Sequence, residues 1–354
     1  MAYTDQEKIA LEKSQPRIVA IWQALQPLKT CISFMNSGAH PDDETSAMMA
    51  CLNYQHGLDL SYACANRGEG GQNDIGIQSE QSLGTLRTAE MERASQALNM
   101  RLYWLSESPT DDIFDFGFSK SGEETLGRWG AERTLQRFVE IIRQEKPDIL
   151  CTTFLDVVGQ HGHHRAMTQA AQKVMSLAAD ANYACKDLPP WQVSKLYLPG
   201  WSGAGQAYDD ATPPPPAHIT VAGKGYDPIT GWSYERLGQQ SRAYHRTQGM
   251  GHWIAAGQER DWPLHMAQGF VDNAEATLLS GLAVKLTDFK APQIQQHLDS
   301  AQASIDRCIA AFPQTSEMLE HASHALQAIQ TCLKHCPSQS TADLEHRLTR
   351  KGQQ

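Results

Sequence analysis

From about residue 30 to residue 200, short apolar runs alternate with longer segments whose apolar residues recur every three or four positions. The runs predict strands over 30–36, 59–65, 101–105, 148–153 and 193–198. The longer segments predict helices over 44–55, 81–98, 129–145 and 164–179. Alternation of this kind predicts a mostly parallel sheet with helices on both faces. Farther on, Pro213 to Pro216 predict an extended surface connection over 208–217. A strand over 218–221 and a helix over 234–247 follow. From Asp261 onward the pattern reads as helical to the end, with one helix over 294–312 and another over 316–335. Such a pair would bury its apolar positions against the core or against another subunit. The polar tail from Pro337 is expected to fray. The expected organisation is thus a helical segment over 1–29, an α/β domain over 30–260 and a C-terminal helical extension over 261–354.

Two connections are longer than the pattern needs. Residues 66–80 are rich in Gly, Asn and Gln, and 106–127 mix acidic residues with Phe114, Phe116 and Phe118. Long loops inside compact domains are usually functional or disordered. Both would leave strand ends on one rim of the sheet.

Composition narrows the function classes. The net charge of −10 comes with no Lys/Arg stripe, which argues against a nucleic-acid partner. No stretch approaches the ~18–20 apolar residues of a membrane span. The segment 1–29 lacks a basic region followed by an apolar core, so no signal peptide is expected. The 8 cysteines form no Cys-x-x-Cys pair and read as free thiols of a reducing cytoplasm.

The chemistry concentrates in two turns. Ala39-His40-Pro41-Asp42-Asp43-Glu44 joins a predicted strand to a predicted helix, where open α/β sheets place ligands. Its acids could cap the helix N-terminus. They could equally serve a metal such as zinc, with a spare carboxylate as general base. The second turn, Gln160-His161-Gly162-His163-His164-Arg165, follows another strand and opens another helix. An exposed histidine cluster is one reading of it. In the other, His161 and His164, three apart, point from the first helical turn toward one centre. With His40 and Asp43 they supply three ligands and an acid/base group. Amide hydrolysis suits these residue types: a metal acidifies water and polarises a carbonyl, a carboxylate takes the water's proton, and a second group protonates nitrogen.

The hexapeptide paired with His161-x-x-His164 resembles the PIG-L/LmbE-like family of zinc-dependent N-acetylglucosaminyl deacetylases. Asn66-Arg67-Gly68-Glu69-Gly70-Gly71 and Leu83-Gly84-Thr85-Leu86-Arg87 are similar to further family elements, and the likeness spans roughly residues 30–200. The resemblance implies a Rossmann-like fold, with His40, Asp43 and His164 as metal ligands. It implies Asp42 as general base and His161 as oxyanion stabiliser or general acid. It implies Zn2+, with Fe2+ or another divalent metal able to occupy the same ligands. Arg67 would contact substrate oxygens, and His245, within Ser241 to Gly249, would close the substrate side. The family commonly has Pro-Asp between the two histidines, where this chain has Gly162-His163. That leaves His163 facing solvent, replacing an outer hydrogen bond or touching substrate. Glu44 keeps the capping role, and Arg87 and Glu90 read as structural.

The implied activity is removal of an N-acyl group, most readily acetyl, from an amino sugar or its conjugate. An amidase acting on a larger thiol–sugar conjugate and a sugar- or metal-binding protein without catalysis are the rival readings. The expected partner is a small N-acylated sugar, with no membrane span, and the C-terminal helices leave a homo-oligomer open.

Overall fold

The computed structural model describes residues 4–13, 17–201, 212–336 and 342–354. Two compact units make up the chain: Met1–Ser14, Ser33–Leu52 and Leu60–Gly281 form one, and Gln15–Ile32, Asn53–Asp59 and Leu282–Gln354 the other.

The strands of the sheet are β1 (Ser33–Gly38), β2 (Asp59–Cys64), β3 (Arg101–Trp104), β4 (Ile149–Thr152), β5 (Lys195–Pro199), β6 (Ile219–Val221) and β7 (Trp262–Gly269). The described helices are α1 (Asp5–Lys13), α2 (Arg17–Leu25), α3 (Ser46–Tyr54), α4 (Glu80–Ala97), α5 (Gly122–Trp129), α6 (Ala131–Glu145), α7 (Gly162–Leu177), α8 (Tyr234–Arg242), α9 (Gln295–Ala310), α10 (Thr315–His335) and α11 (Ala342–Gln353). The strand order is β3-β2-β1-β4-β5-β7-β6. The pairs β1–β4, β2–β3 and β4–β5 run parallel. The mostly parallel sheet expected from strand–helix alternation is therefore present. Its order reverses between β1 and β4, and ligands of open α/β sheets bind outside the carboxyl ends of the strands at such a point. Both charged turns leave those two ends.

β1, β2 and β4 are buried along their whole length. Met35, Leu150 and Leu196 of the sheet meet Phe138, Ile142, Val174 and Trp129 of the helices in one apolar cluster. Helix starts follow ordinary capping chemistry. Ser121 Oγ accepts from Glu124 N–H at α5, and Ser233 Oγ accepts from Arg236 N–H at α8.

Three expectations need correction. Residues from Asp261 are not uniformly helical: Trp262–Gly269 is β7, antiparallel to both β5 and β6. Its Trp262, Leu264 and Met266 recur at strand period, but Pro263 obscures the pattern. Residues 122–129 are helix α5 rather than loop; Gly122 and Gly127 hid a turn that buries Leu126 and Trp129. The polar tail forms α11 beyond residues 337–341, which lie outside the described residues, as do 208–211 of the proline-rich connection.

The second unit has its own apolar cluster of Cys31, Leu286, Leu298, Ile305, Ile329, Leu344 and Leu348. Leu344 and Leu348 are one helical turn apart on α11, so the tail's four-residue apolar spacing is what orders it. Leu348→Ala is expected to cost about 2–5 kcal/mol, the usual range for a fully buried leucine, read as a lower urea midpoint. A frayed tail would leave the midpoint unchanged.

Candidate active site

The turn after β1 folds back on itself. Asp43 Oδ2 accepts from the N–H groups of Ala39 and His40, both at 2.8 Å. A Cβ at Gly38 would strike the Tyr62 hydroxyl and Asp43 Cβ, so the close approach requires glycine. Asn36, buried on β1, ties this turn to the one after β4: its Oδ1 accepts from Thr45 N–H at 3.1 Å and Thr153 Oγ1 at 3.4 Å. At the second turn, His161 caps α7, its Nδ1 accepting from His163 N–H at 3.2 Å. Gly162 lets 119–121 pass close by, since any Cβ there would meet Ser119 Oγ.

These turns bring His40, Asp43 and His164 together. One donor atom from each lies within 4.8 Å of the others. His40 Nδ1 is 3.2 Å from His164 Nε2 and 3.3 Å from Asp43 Oδ2, and His164 Nε2 is 3.3 Å from Asp43 Oδ1. Gln160 Oε1 accepts from the backbone N–H of His161 and faces His164 Nδ1, both at 2.8 Å. An oxygen there can only accept, so His164 Nδ1 carries the proton and Nε2 turns its lone pair inward. Phe154 stacks on the His164 ring at 3.9 Å and fixes its plane. Burial opposes a charge on His40, but the carboxylates of Asp43 and Asp115 outweigh it and carry its pKa up to about 9. Two nitrogens and a carboxylate converging where the field favours a cation fit a divalent metal of zinc type.

The two adjacent acids are driven apart. Burial raises Asp42 against the pull of Arg87, with Asp43 adding to the rise. Burial would raise Asp43 too, but His164 and His40 hold it well below the usual carboxylate range. Environments that separate two neighbouring carboxyls are how one becomes a base and the other stays an anion. Asp42 is held from every side: Arg87 Nη2 is 3.1 Å from its Oδ1, Glu44 Oε2 accepts its N–H at 3.1 Å, and Arg242 Nη1 donates to its carbonyl at 3.3 Å. Its φ of 116° is strained for a non-glycine residue. Arg87, read as structural from sequence, also donates to Pro41 O at 2.7 Å, so it grips the turn and the Asp42 carboxylate together.

His161 stands beside the cluster, its Nε2–H donating to Gly117 O at 3.1 Å. Burial and the neighbouring histidines push its pKa down to about 4. His163 is fully buried rather than solvent-facing, and its Nδ1 is 2.9 Å from His40 Nε2. Glu44 is not a simple helix cap: its buried carboxylate meets His245 Nε2 at 2.8 Å and accepts from Ser46 Oγ at 3.0 Å. His245 is thereby placed behind the turn, without exposure. Arg67 donates to Ser106 Oγ and O at 3.0 and 2.9 Å and lies 3.9 Å over the Trp104 ring, bracing the β2 and β3 ends. Nothing in the spacing of Arg242 marked it, because its partners, the carbonyls of Asp42 and Glu44, lie 200 and 198 positions away in sequence.

A cavity of about 270 Å³ opens beside Asp42 and Asp43, walled by Phe154, Trp201, Glu235 and Arg242. Trp201 packs edge-on against Trp262 at 5.3 Å.

Residues 35–175 match the family model for PIG-L, the GlcNAc-PI de-N-acetylases. That stretch is similar to the family across 141 of the 354 residues. Over 182 residues it is 30% identical to a protein of Frankia alni named 1D-myo-inositol 2-acetamido-2-deoxy-alpha-D-glucopyranoside deacetylase 1, covering 45% of this chain and 59% of that relative. Among solved structures, the 4-carboxy-2-hydroxymuconate hydratase GalB of Pseudomonas putida KT2440 aligns at TM-score 0.45 and 14% identity, over 68% of this chain and 98% of that one. The N,N'-diacetylchitobiose deacetylase of Pyrococcus horikoshii aligns at TM-score 0.41 and 16% identity, over 67% and 84%. The PIG-L match takes in His40, Asp42, Asp43, Arg67, His161 and His164, while Glu235 and Arg242 of the cavity wall and the buried His245 lie beyond it.

Proposed function

We propose that the chain is a metal-dependent hydrolase that removes an N-acyl group, most readily acetyl, from an amino sugar or its conjugate. The observation that carries this reading is the inward lone pair of His164 beside His40 and Asp43, with the separately held Asp42 carboxylate next to it. His40, Asp43 and His164 would hold the metal. Zinc in such a setting polarises an amide carbonyl and acidifies water.

The chain's own groups supply the rest. Asp42, raised by burial and aimed by Arg87, accepts a proton from the attacking water and can return it to the departing nitrogen. His161, kept neutral at its Nε2–H, can donate to the developing oxyanion when its ring exchanges Gly117 O for substrate. The cavity beside Asp42 seats the sugar, with Trp201 and Phe154 as apolar walls and Glu235 as a hydroxyl acceptor. The name of the Frankia alni relative supports an N-acetylglucosaminyl-inositol as the first substrate to try. Cysteines held as thiols rather than disulfides at the described positions support a reducing, cytoplasmic setting, and no described helix is long and apolar enough to cross a membrane.

The test is release of primary amine and acetate from N-acetylglucosaminyl-inositol and from N-acetylglucosamine by zinc-loaded protein. A chelator should abolish the release and added zinc should restore it. Binding of these sugars without amine release would favour a non-catalytic protein instead.

A further inference from the structure

His163 has no part in the chemistry above, yet it is built into the site. Its ring lies T-shaped against Phe116 at 4.3 Å and beside Trp129 at 5.1 Å, and it is fully buried. Its Nδ1 faces His40 Nε2 at 2.9 Å. The Asp115 carboxylate reaches toward both, 3.6 Å from His163 Nδ1 and 3.9 Å from His40 Nε2. The His161 ring closes a third side, centred 4.6 Å from the His163 ring and 5.4 Å from the His40 ring. One ligand-capable atom from each of His40, His161 and His163 lies within 4.8 Å of the others. His40 therefore stands between two donor sets, presenting Nδ1 to Asp43 and His164 and Nε2 to His163, with the His161 ring alongside.

We propose that His40, His161 and His163, with the Asp115 carboxylate as counter-charge, form a second transition-metal site that is occupied in alternation with the His40–Asp43–His164 site. Alternation follows from the imidazole itself, since a neutral ring has one lone pair. With a cation on the outer set, His40 ligates through Nδ1 and its Nε2–H donates to His163 Nδ1. For the inner set the proton leaves Nε2 and resides on Nδ1, where Asp43 accepts it. His40 is neutral in both metal-bound forms, so exchange between them gains or loses no proton. Ligation by His161 replaces one of its two present hydrogen bonds, to His163 N–H or to Gly117 O.

The two sets differ in chemistry. The outer one mixes two nitrogens with a carboxylate. The inner one offers three nitrogens, which favours Cu2+ and Ni2+ over oxygen-seeking cations. A cation held inside would take His40 from the outer set and His161 from the substrate, giving an inhibited form. A role for His163 as hydrogen-bond acceptor alone predicts no third nitrogen.

The experiment adds one equivalent of Cu2+ to metal-free protein and counts coupled nitrogens by electron paramagnetic resonance. The wild type should show three. His163→Phe, which fills the niche against Phe116 and Trp129 without a donor, should show the two of His40 and His164. Asp43→Asn, whose amide oxygen still accepts from Ala39 and His40 N–H, should keep the three-nitrogen signal. A two-nitrogen spectrum in the wild type, unchanged in His163→Phe, would overturn the proposal. Should circular dichroism show His163→Phe unfolded, the wild-type and Asp43→Asn spectra decide alone. The readout needs no turnover, so absence of deacetylation would leave it standing.

Discussion

Asp42→Asn should lower kcat roughly 10²–10⁴-fold, the usual contribution of a positioned acid/base group, while zinc content stays at the wild-type level. Asparagine is the right replacement for a structural reason. Asp42 sits at a φ of 116°, and asparagine tolerates positive φ better than alanine or a branched residue does. Its amide oxygen can still accept from Arg87, and its N–H can still reach Glu44. The substitution thus removes the proposed proton acceptor and little else. KM should change far less than kcat, since the lost interaction belongs to the transition state. Steady-state kinetics beside metal analysis of the same preparation checks this. A variant that loses zinc as well would place Asp42 among the ligands.

His164→Ala should do the reverse first, and lose the metal. Its Nε2 is one of three donors, and removing it leaves His40 and Asp43 alone to hold a divalent ion. Zinc affinity should fall by more than the ~10–100-fold that loss of an outer-shell partner costs. Gln160→Leu supplies that smaller benchmark, because it removes the acceptor that fixes the His164 tautomer, together with that oxygen's bond from His161 N–H, and leaves all three donors in place. Dialysed His164→Ala should hold far less zinc than wild type, and its turnover should vanish for want of metal. Retention of wild-type zinc in His164→Ala would move the centre elsewhere.

Much of this site is legible in the sequence because its donors sit in two short turns. His40 and Asp43 are three residues apart, as are His161 and His164, and a strand precedes each pair. Parallel strand order then brings the two turns to one edge, which sequence pattern alone suggests through alternation. What the sequence hides are the groups that act across it. Arg87 looks like any charged helix residue, yet 45 positions from Asp42 it grips that carboxylate. His245 reads as a surface or pocket histidine, but burial against Glu44 makes both of them part of the turn's support. Arg67 has the fork that suits substrate oxygens, and its bonds to Ser106 and its place over the Trp104 ring are contacts its spacing could not announce. The fold shows the same division. β7 is a strand because β5 and β6 flank it, a fact its local residues, with Pro263 among them, could not announce. The tail orders as α11 because Leu344 and Leu348 find an apolar cluster, where composition alone suggests fraying.

The most direct measurement is amine release from N-acetylglucosaminyl-inositol by wild type and Asp42→Asn at equal zinc content. Metal-supported hydrolysis with Asp42 as base predicts release by the wild type alone, abolished on chelation. Equal release by both proteins, or release that survives complete metal removal, would contradict it.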